Sequence, residues 1–171
     1  MPRSCMMNER TRVTQDGGCS LEIEAELVER IEVKAPIGAA FELITDVPRS
    51  VKHLPNFKSI RKVKTDVYAL STHTIKLPMV EIVAAYTALY QKDRSGHEAW
   101  WDTLSGNPTV TGRFKLRSRG AGVTEINLSV RAVQRLALPS LVKAAVRPLL
   151  VRELERTIRG YLANLKADQE A

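Results

Sequence analysis

Tyr86 and Tyr90 carry most of the chemistry that this chain offers. They lie in the run Val80 to Lys92, where Val80, Ile82, Ala84, Tyr86, Ala88 and Tyr90 share one parity and Glu81, Thr87 and Gln91 fall opposite. A strand alternates its side chains between two faces, so both phenols point into whatever the apolar face covers. A buried hydroxyl needs a hydrogen-bond partner, which a ligand or a water can supply, and a phenol can act as a general acid or base. By the same parity Trp101 faces inward and Trp100 outward. Phe114 and Leu116 join Trp101 from the following strand, and Ile126, Leu128 and Val130 from the last. Plain core packing is the competing reading for each of these side chains.

No catalytic constellation accompanies them. His53, His73 and His97 are isolated and lack metal-ligand spacing, no serine sits in a nucleophile elbow, and Gly120-Ala121-Gly122 reads as a hairpin turn rather than a phosphate loop. Neither a metal nor another cofactor is expected. An enzyme therefore ranks below a binding protein, with Tyr86, Tyr90 and His73 as its acid-base candidates; His73 is better explained as an ordinary strand histidine. Cys5 and Cys19 fall among Gly, Ser and Asn in the first twenty residues and read as free thiols.

The net charge of +7 and pI near 9.6 raise the question of an acidic partner. One basic cluster comprises Arg49, Lys52, Lys58, Arg61, Lys62 and Lys64; a second, Arg113, Lys115, Arg117 and Arg119, alternates strictly with Phe114, Leu116 and Ser118. Alternation makes the second a solvated outer strand face, with Glu98 and Asp102 as cross-strand partners. The first, through Lys58, Arg61 and Lys62, suits an anionic membrane surface. Nucleic acid is disfavoured, since exposed aromatics do not interleave these cations and no helix-turn-helix or zinc-finger spacing occurs.

The elements that position these residues follow from periodicity. The 171 residues, 44% hydrophobic and 26% charged, suit one soluble domain. No run of 18 apolar residues occurs and the first residues lack a secretory apolar core, so the expected location is the cytosol. Residues 1–20 read as a disordered leader and 21–171 as a single domain. Leu21 to Val33 alternates as a half-buried strand, except that Glu29 falls on the apolar parity; a bulge near Val28 or a buried carboxylate would account for it. Pro36 to Asp46 reads as a short helix ended by Val47-Pro48, and Arg49 to Leu54 as a second. Strands follow at Ser59 to Lys64, Val67 to Thr74, Val80 to Lys92, His97 to Thr103, Val110 to Arg119 and Thr124 to Val133, linked by short turns that favour an antiparallel meander.

An amphipathic helix closes the chain from about Ser140 to Lys166, roughly 40 Å long. Its apolar stripe runs through Leu141, Ala145, Leu149, Leu150, Leu154, Ile158, Tyr161 and Leu165. Pro148 lies inside it and predicts a kink, since proline removes one helical hydrogen bond. A sheet wrapped round that stripe would leave an apolar pocket between the layers.

This order resembles the helix-grip fold of the START-related superfamily (SRPBCC), which includes birch-pollen-allergen-like, polyketide cyclase and coenzyme Q-binding groups. The resemblance covers residues 21–166. It is carried by Ile31-Glu32-Val33-Lys34-Ala35-Pro36, Ala40-Phe41-Glu42-Leu43-Ile44-Thr45-Asp46, the Leu54-Pro55 turn, the Trp100-Trp101 strand, and Gly112 ahead of Gly122-Val123-Thr124. It implies an α+β fold in which a seven-stranded antiparallel sheet grips the C-terminal helix, two short helices follow the first strand, and a cavity holds a lipid, isoprenoid quinone or polyketide-like molecule. Phe41, Tyr86, Tyr90, Trp101, Phe114, Leu116, Leu150, Leu154 and Ile158 are the expected cavity residues. The alternative is a cyclase, aromatase or dehydratase.

Overall fold

Alternation of apolar and polar residues underlies the long strands that follow Leu21, and the 3.6-residue period of the last segment produces the long helix; ten strands are present among the described residues. The computed structural model describes residues 11–13 and 19–171, with side chains from Leu21. The expected leader therefore lies largely outside the described residues. The elements are β1 (Thr11–Val13), β2 (Cys19–Val33), α1 (Ile37–Thr45), α2 (Val47–Val51), β3 (Phe57–Lys64), β4 (Val67–Thr72), β5 (Ile75–Leu77), β6 (Val80–Ile82), β7 (Ala85–Asp93), β8 (Glu98–Asn107), β9 (Thr109–Ser118), β10 (Thr124–Leu136), a 3-10 turn (Ser140–Val142) and α3 (Lys143–Glu170).

Seven antiparallel strands form the grip in the order β2-β10-β9-β8-β7-β4-β3, and β1 extends the β2 edge. Strands β7 to β10 are a meander, while β2 pairs with β10 and so brings the first long strand beside the last. The two short helices bridge from β2 to β3 at the opposite edge. This is the α+β helix-grip arrangement, with α3 lying across the inner face of the sheet.

Several local expectations change. Val47-Pro48 opens α2 rather than merely ending α1, because Asp46 caps it by accepting from the Arg49 N–H at 3.4 Å and Pro48 occupies its first turn. The run Val80 to Lys92 is two strands: β6 turns back on β5 to make a separate hairpin, and pairing with β4 begins at Ala85. Residues Ile75 to Leu77, read as part of a turn, are the other arm of that hairpin.

Strand β2 carries no bulge. Its register with β10 is unbroken from Leu21 opposite Leu136 to Val33 opposite Thr124. Glu29 stays on the inner parity because Arg159 of α3 reaches it, with Nε 2.8 Å from Oε1. A cation supplied from the helix makes that carboxylate tolerable.

Helix α3 is continuous through Pro148. Its first turns are anchored by Val146, which is fully buried, and by Leu150, both packed with Leu21, Ile23, Val80 and Ile82. Leu141, placed on the stripe from periodicity, is 93% exposed. The later turns bury Ile158, Tyr161, Leu162 and Leu165 against α1, β9 and β10. Gly160 sits against the Leu54-Pro55 turn, where a Cβ would approach the Pro55 ring to 2.6 Å.

The last turn is tied down by polar contacts. Asp168 accepts from Arg49 at 3.2 Å and stands 3.0 Å from His53 Nε2, and Glu170 accepts from the Lys34 N–H at 2.9 Å. His53 is therefore part of an anchor rather than isolated.

Candidate functional site

Between the sheet and α3 lies a cavity of about 600 Å³. Strand parity builds its wall: Tyr68, Leu70 and Thr72 come from β4, Tyr86 and Tyr90 from β7, Trp101 from β8, Phe114 from β9, and Leu128 and Val130 from β10. Helix α2 adds Val47, Ser50 and Val51, and α3 closes the space with Leu150, Leu154, Ile158 and Tyr161.

Of the nine residues expected around it, Tyr86, Tyr90, Trp101, Phe114, Leu150, Leu154 and Ile158 line this wall. Phe41 and Leu116 do not. Leu116 lies one strand repeat beyond Phe114, roughly 7 Å further along β9, where α1 fills the space. It packs there with Phe41, Leu43 and Ile44 in the closed core. Phe41 meets the His97 ring edge-on at 5.5 Å. Helix α1 thus plugs one end of the grip, and only Ile44 and Thr45 at its C-terminal end reach the cavity wall.

The aromatic side chains form a continuous arc. Tyr68 meets Tyr90 at 5.8 Å between ring centroids, Tyr90 stacks on Trp101 at 6.3 Å, Trp101 tilts on Phe114 at 5.8 Å, and Phe114 on Tyr161 at 6.2 Å. Gly112, across from Trp101 on β9, leaves the space that the indole fills; any Cβ there would overlap it. Trp101 Nε1 is buried with no hydrogen-bond partner among the described residues. Trp100 points outward, donates to Gln91 at 3.0 Å and carries Arg113 over its ring at 5.2 Å.

Polar groups punctuate the wall, among them Thr72, Gln134, Thr157 and the phenols. The Tyr161 hydroxyl and the Ser50 hydroxyl are 2.6 Å apart and buried. Burial raises the Tyr161 hydroxyl to about 12, the Ser50 bond acting weakly the other way. Burial also raises Tyr86 and Tyr90, and at Tyr90 the neighbouring phenols Tyr86, Tyr161 and Tyr68 add to it. These groups are neutral hydrogen-bond donors at physiological pH, not bases. His73 is exposed and lies away from the wall. Among the described residues no three His, Cys, Asp or Glu side chains are grouped to hold a metal.

Ser50, Tyr161 and Tyr68 are among the wall residues that the strand reading missed. Ser50 had a signal in the spacing of Val47, Ser50 and Val51, one helical face that is wholly buried. Tyr161 was legible only as part of an apolar stripe, because its partner comes from an element 111 residues away.

Outside the cavity, Glu98 pairs with Arg113 at 2.8 Å and Lys115 at 3.5 Å as the alternation predicted. Asp102 faces Thr111 instead. Lys58, Arg61 and Lys62 project from β3, an edge strand, without an ion-pair partner among the described residues. No helix among the described residues is long and apolar enough to cross a membrane.

No protein-family profile matches the chain, and no curated protein sequence matches it. Its fold, however, is that of solved structures. Zhui aromatase/cyclase from Streptomyces sp. R1128 aligns with a TM-score of 0.67 at 14% identity, over 85% of this chain and 94% of that one. A START superfamily protein from Mycobacterium smegmatis gives 0.66 at 11% identity, over 84% and 96%. Ara h 8.0201 gives 0.57 at 15% identity, over 84% and 96%. The chain shares the helix-grip fold of these structures.

Proposed function

We propose that this protein binds or carries a hydrophobic small molecule, of the lipid, isoprenoid quinone or polyketide-like classes, in the cavity between the sheet and α3. The observation that carries this reading is the cavity itself. Protein interiors are close-packed, with few voids larger than a water molecule, whereas about 600 Å³ lined chiefly by apolar and aromatic side chains is the size and character of a small-molecule site. Native mass spectrometry of gently purified protein tests it: a lipophilic adduct, or uptake of quinones, fatty acids or polyketides by the apo protein, is expected. A clean apo mass with no uptake of any of these contradicts it.

A second reading draws on the aromatase/cyclase likeness and on the phenols. With burial holding Tyr86 and Tyr90 protonated, they would serve a cyclase-type reaction as proton or hydrogen-bond donors to a carbonyl oxygen. Tyr86→Phe or Tyr90→Phe would then abolish turnover, a loss far larger than any weakening of binding.

Peripheral contact with an anionic membrane through Lys58, Arg61 and Lys62 would place such a carrier beside its source. The exposed, unpaired state of these three cations supports that contact. Binding to anionic vesicles should weaken with salt and with charge reversal at the three positions; indifference to both would remove it.

A further inference from the structure

We propose that the cavity selects a flat, uncharged ring compound bearing carbonyl oxygens, over an aliphatic chain or an anion. This rests on the binding reading above and narrows it. The first ground is the aromatic arc. Tyr68, Tyr90, Trp101, Phe114 and Tyr161 follow one another at 5.8 to 6.3 Å across four strands and onto α3, and all five face the cavity. An alkyl chain gains from any apolar wall. A planar π system gains further from ring-on-ring geometry.

The second ground is the hydroxyls. Tyr161 spends its hydroxyl on Ser50, but those of Tyr68, Tyr86 and Tyr90 have no hydrogen-bond partner among the described residues. All three line the same wall. Phenols that stay protonated are donors, and donors in an apolar enclosure call for acceptors on the ligand.

The third ground is charge. Lys92 is the one cation among the described lining residues and it is exposed, whereas three carboxylates, Asp46, Asp66 and Glu153, also line the wall. A carboxylate or phosphate would enter a cavity with no buried counter-charge and with three carboxylates in its lining. A ketone or quinone oxygen meets the donors without that penalty.

Titration of the full-length protein with anthraquinone, anthracene and palmitate, followed by Trp fluorescence and calorimetry, tests the assignment. Anthraquinone is expected to bind at least about tenfold more tightly than either of the others, the equivalent of one to two net hydrogen bonds. The Tyr86→Phe, Tyr90→Phe double variant should bring anthraquinone down to the affinity of anthracene and leave anthracene unchanged. A lowered carbonyl stretching frequency of bound anthraquinone in the unmodified protein gives the same answer without a variant. Equal affinity for anthraquinone and anthracene, tighter binding of palmitate, or an unshifted carbonyl band would overturn the selection while leaving a hydrophobic carrier standing. Failure of all three to bind would remove both.

Discussion

Gly112 is where a single atom decides the shape of the cavity. Its missing Cβ is the seat of the Trp101 indole, so Gly112→Ala must drive that ring from Phe114 and Tyr90. Overpacking of this kind costs about 1–3 kcal/mol, and urea unfolding together with a changed near-ultraviolet signal from Trp101 should report it. Ser50→Ala acts by a different route: it leaves the buried Tyr161 hydroxyl without its 2.6 Å partner, at about 1–3 kcal/mol. Adding Tyr161→Phe to that variant should recover part of the loss, and no recovery would show that the hydrogen bond is not the cause. The tyrosines also set an alkaline limit. Burial holds Tyr161 up to about 12 and moves Tyr86 and Tyr90 the same way, whereas an unfolded chain releases such protons near the ordinary value of about 10. The stability they contribute is therefore complete below about pH 10 and declines as pH rises toward 12. Urea midpoints measured from pH 9 to 11.5 should fall, and fall less in the Tyr86→Phe, Tyr90→Phe variant. At this scale parity alone located Tyr86, Tyr90, Trp101 and Phe114. It did not place Phe41 or Leu116, since which stretch of an apolar face is covered by α1 and which by open space is a tertiary fact.

Among the elements, the β5–β6 hairpin and the first turns of α3 depend on each other. Val80 and Ile82 of the hairpin pack with Val146 and Leu150 of the helix and with Leu21 and Ile23 of β2. Val146→Ala removes buried methyl groups at that junction. It should cost on the order of 1–3 kcal/mol, and amide exchange should quicken in Ile75–Leu77 and Val80–Ile82 more than in β10; uniform quickening would deny the hairpin its separate dependence. The hairpin was hidden in the sequence because Val80, Ile82, Ala84, Tyr86, Ala88 and Tyr90 keep one parity across the break, so periodicity reads two strands as one. Glu29 misled for a related reason. An acid on the apolar parity suggests a bulge until the Arg159 guanidinium is known to stand 2.8 Å away. Helix existence and the meander were legible, since each rests on local periods and turn residues.

At the scale of the whole molecule, the sheet keeps its charge outward and its aromatic side chains inward. Arg113 and Lys115 are engaged by Glu98 on the outer face, and Arg119 by Glu125. Lysines and arginines along β3 also discourage pairing at an edge strand. The net charge of +7 thus has a structural use that needs no nucleic acid, and it remains compatible with the proposed membrane contact. What the fold leaves unfilled is the space under α3. The most direct test of a hydrophobic cargo there compares uptake of an apolar ring ligand by the unmodified protein and by a variant whose cavity is filled from the helix side with Leu154→Trp. Calorimetric titration with anthraquinone should give saturable one-to-one binding to the former and a loss of at least about tenfold in the latter, with the fold retained by circular dichroism. Equal binding to both would place the ligand elsewhere and contradict the account.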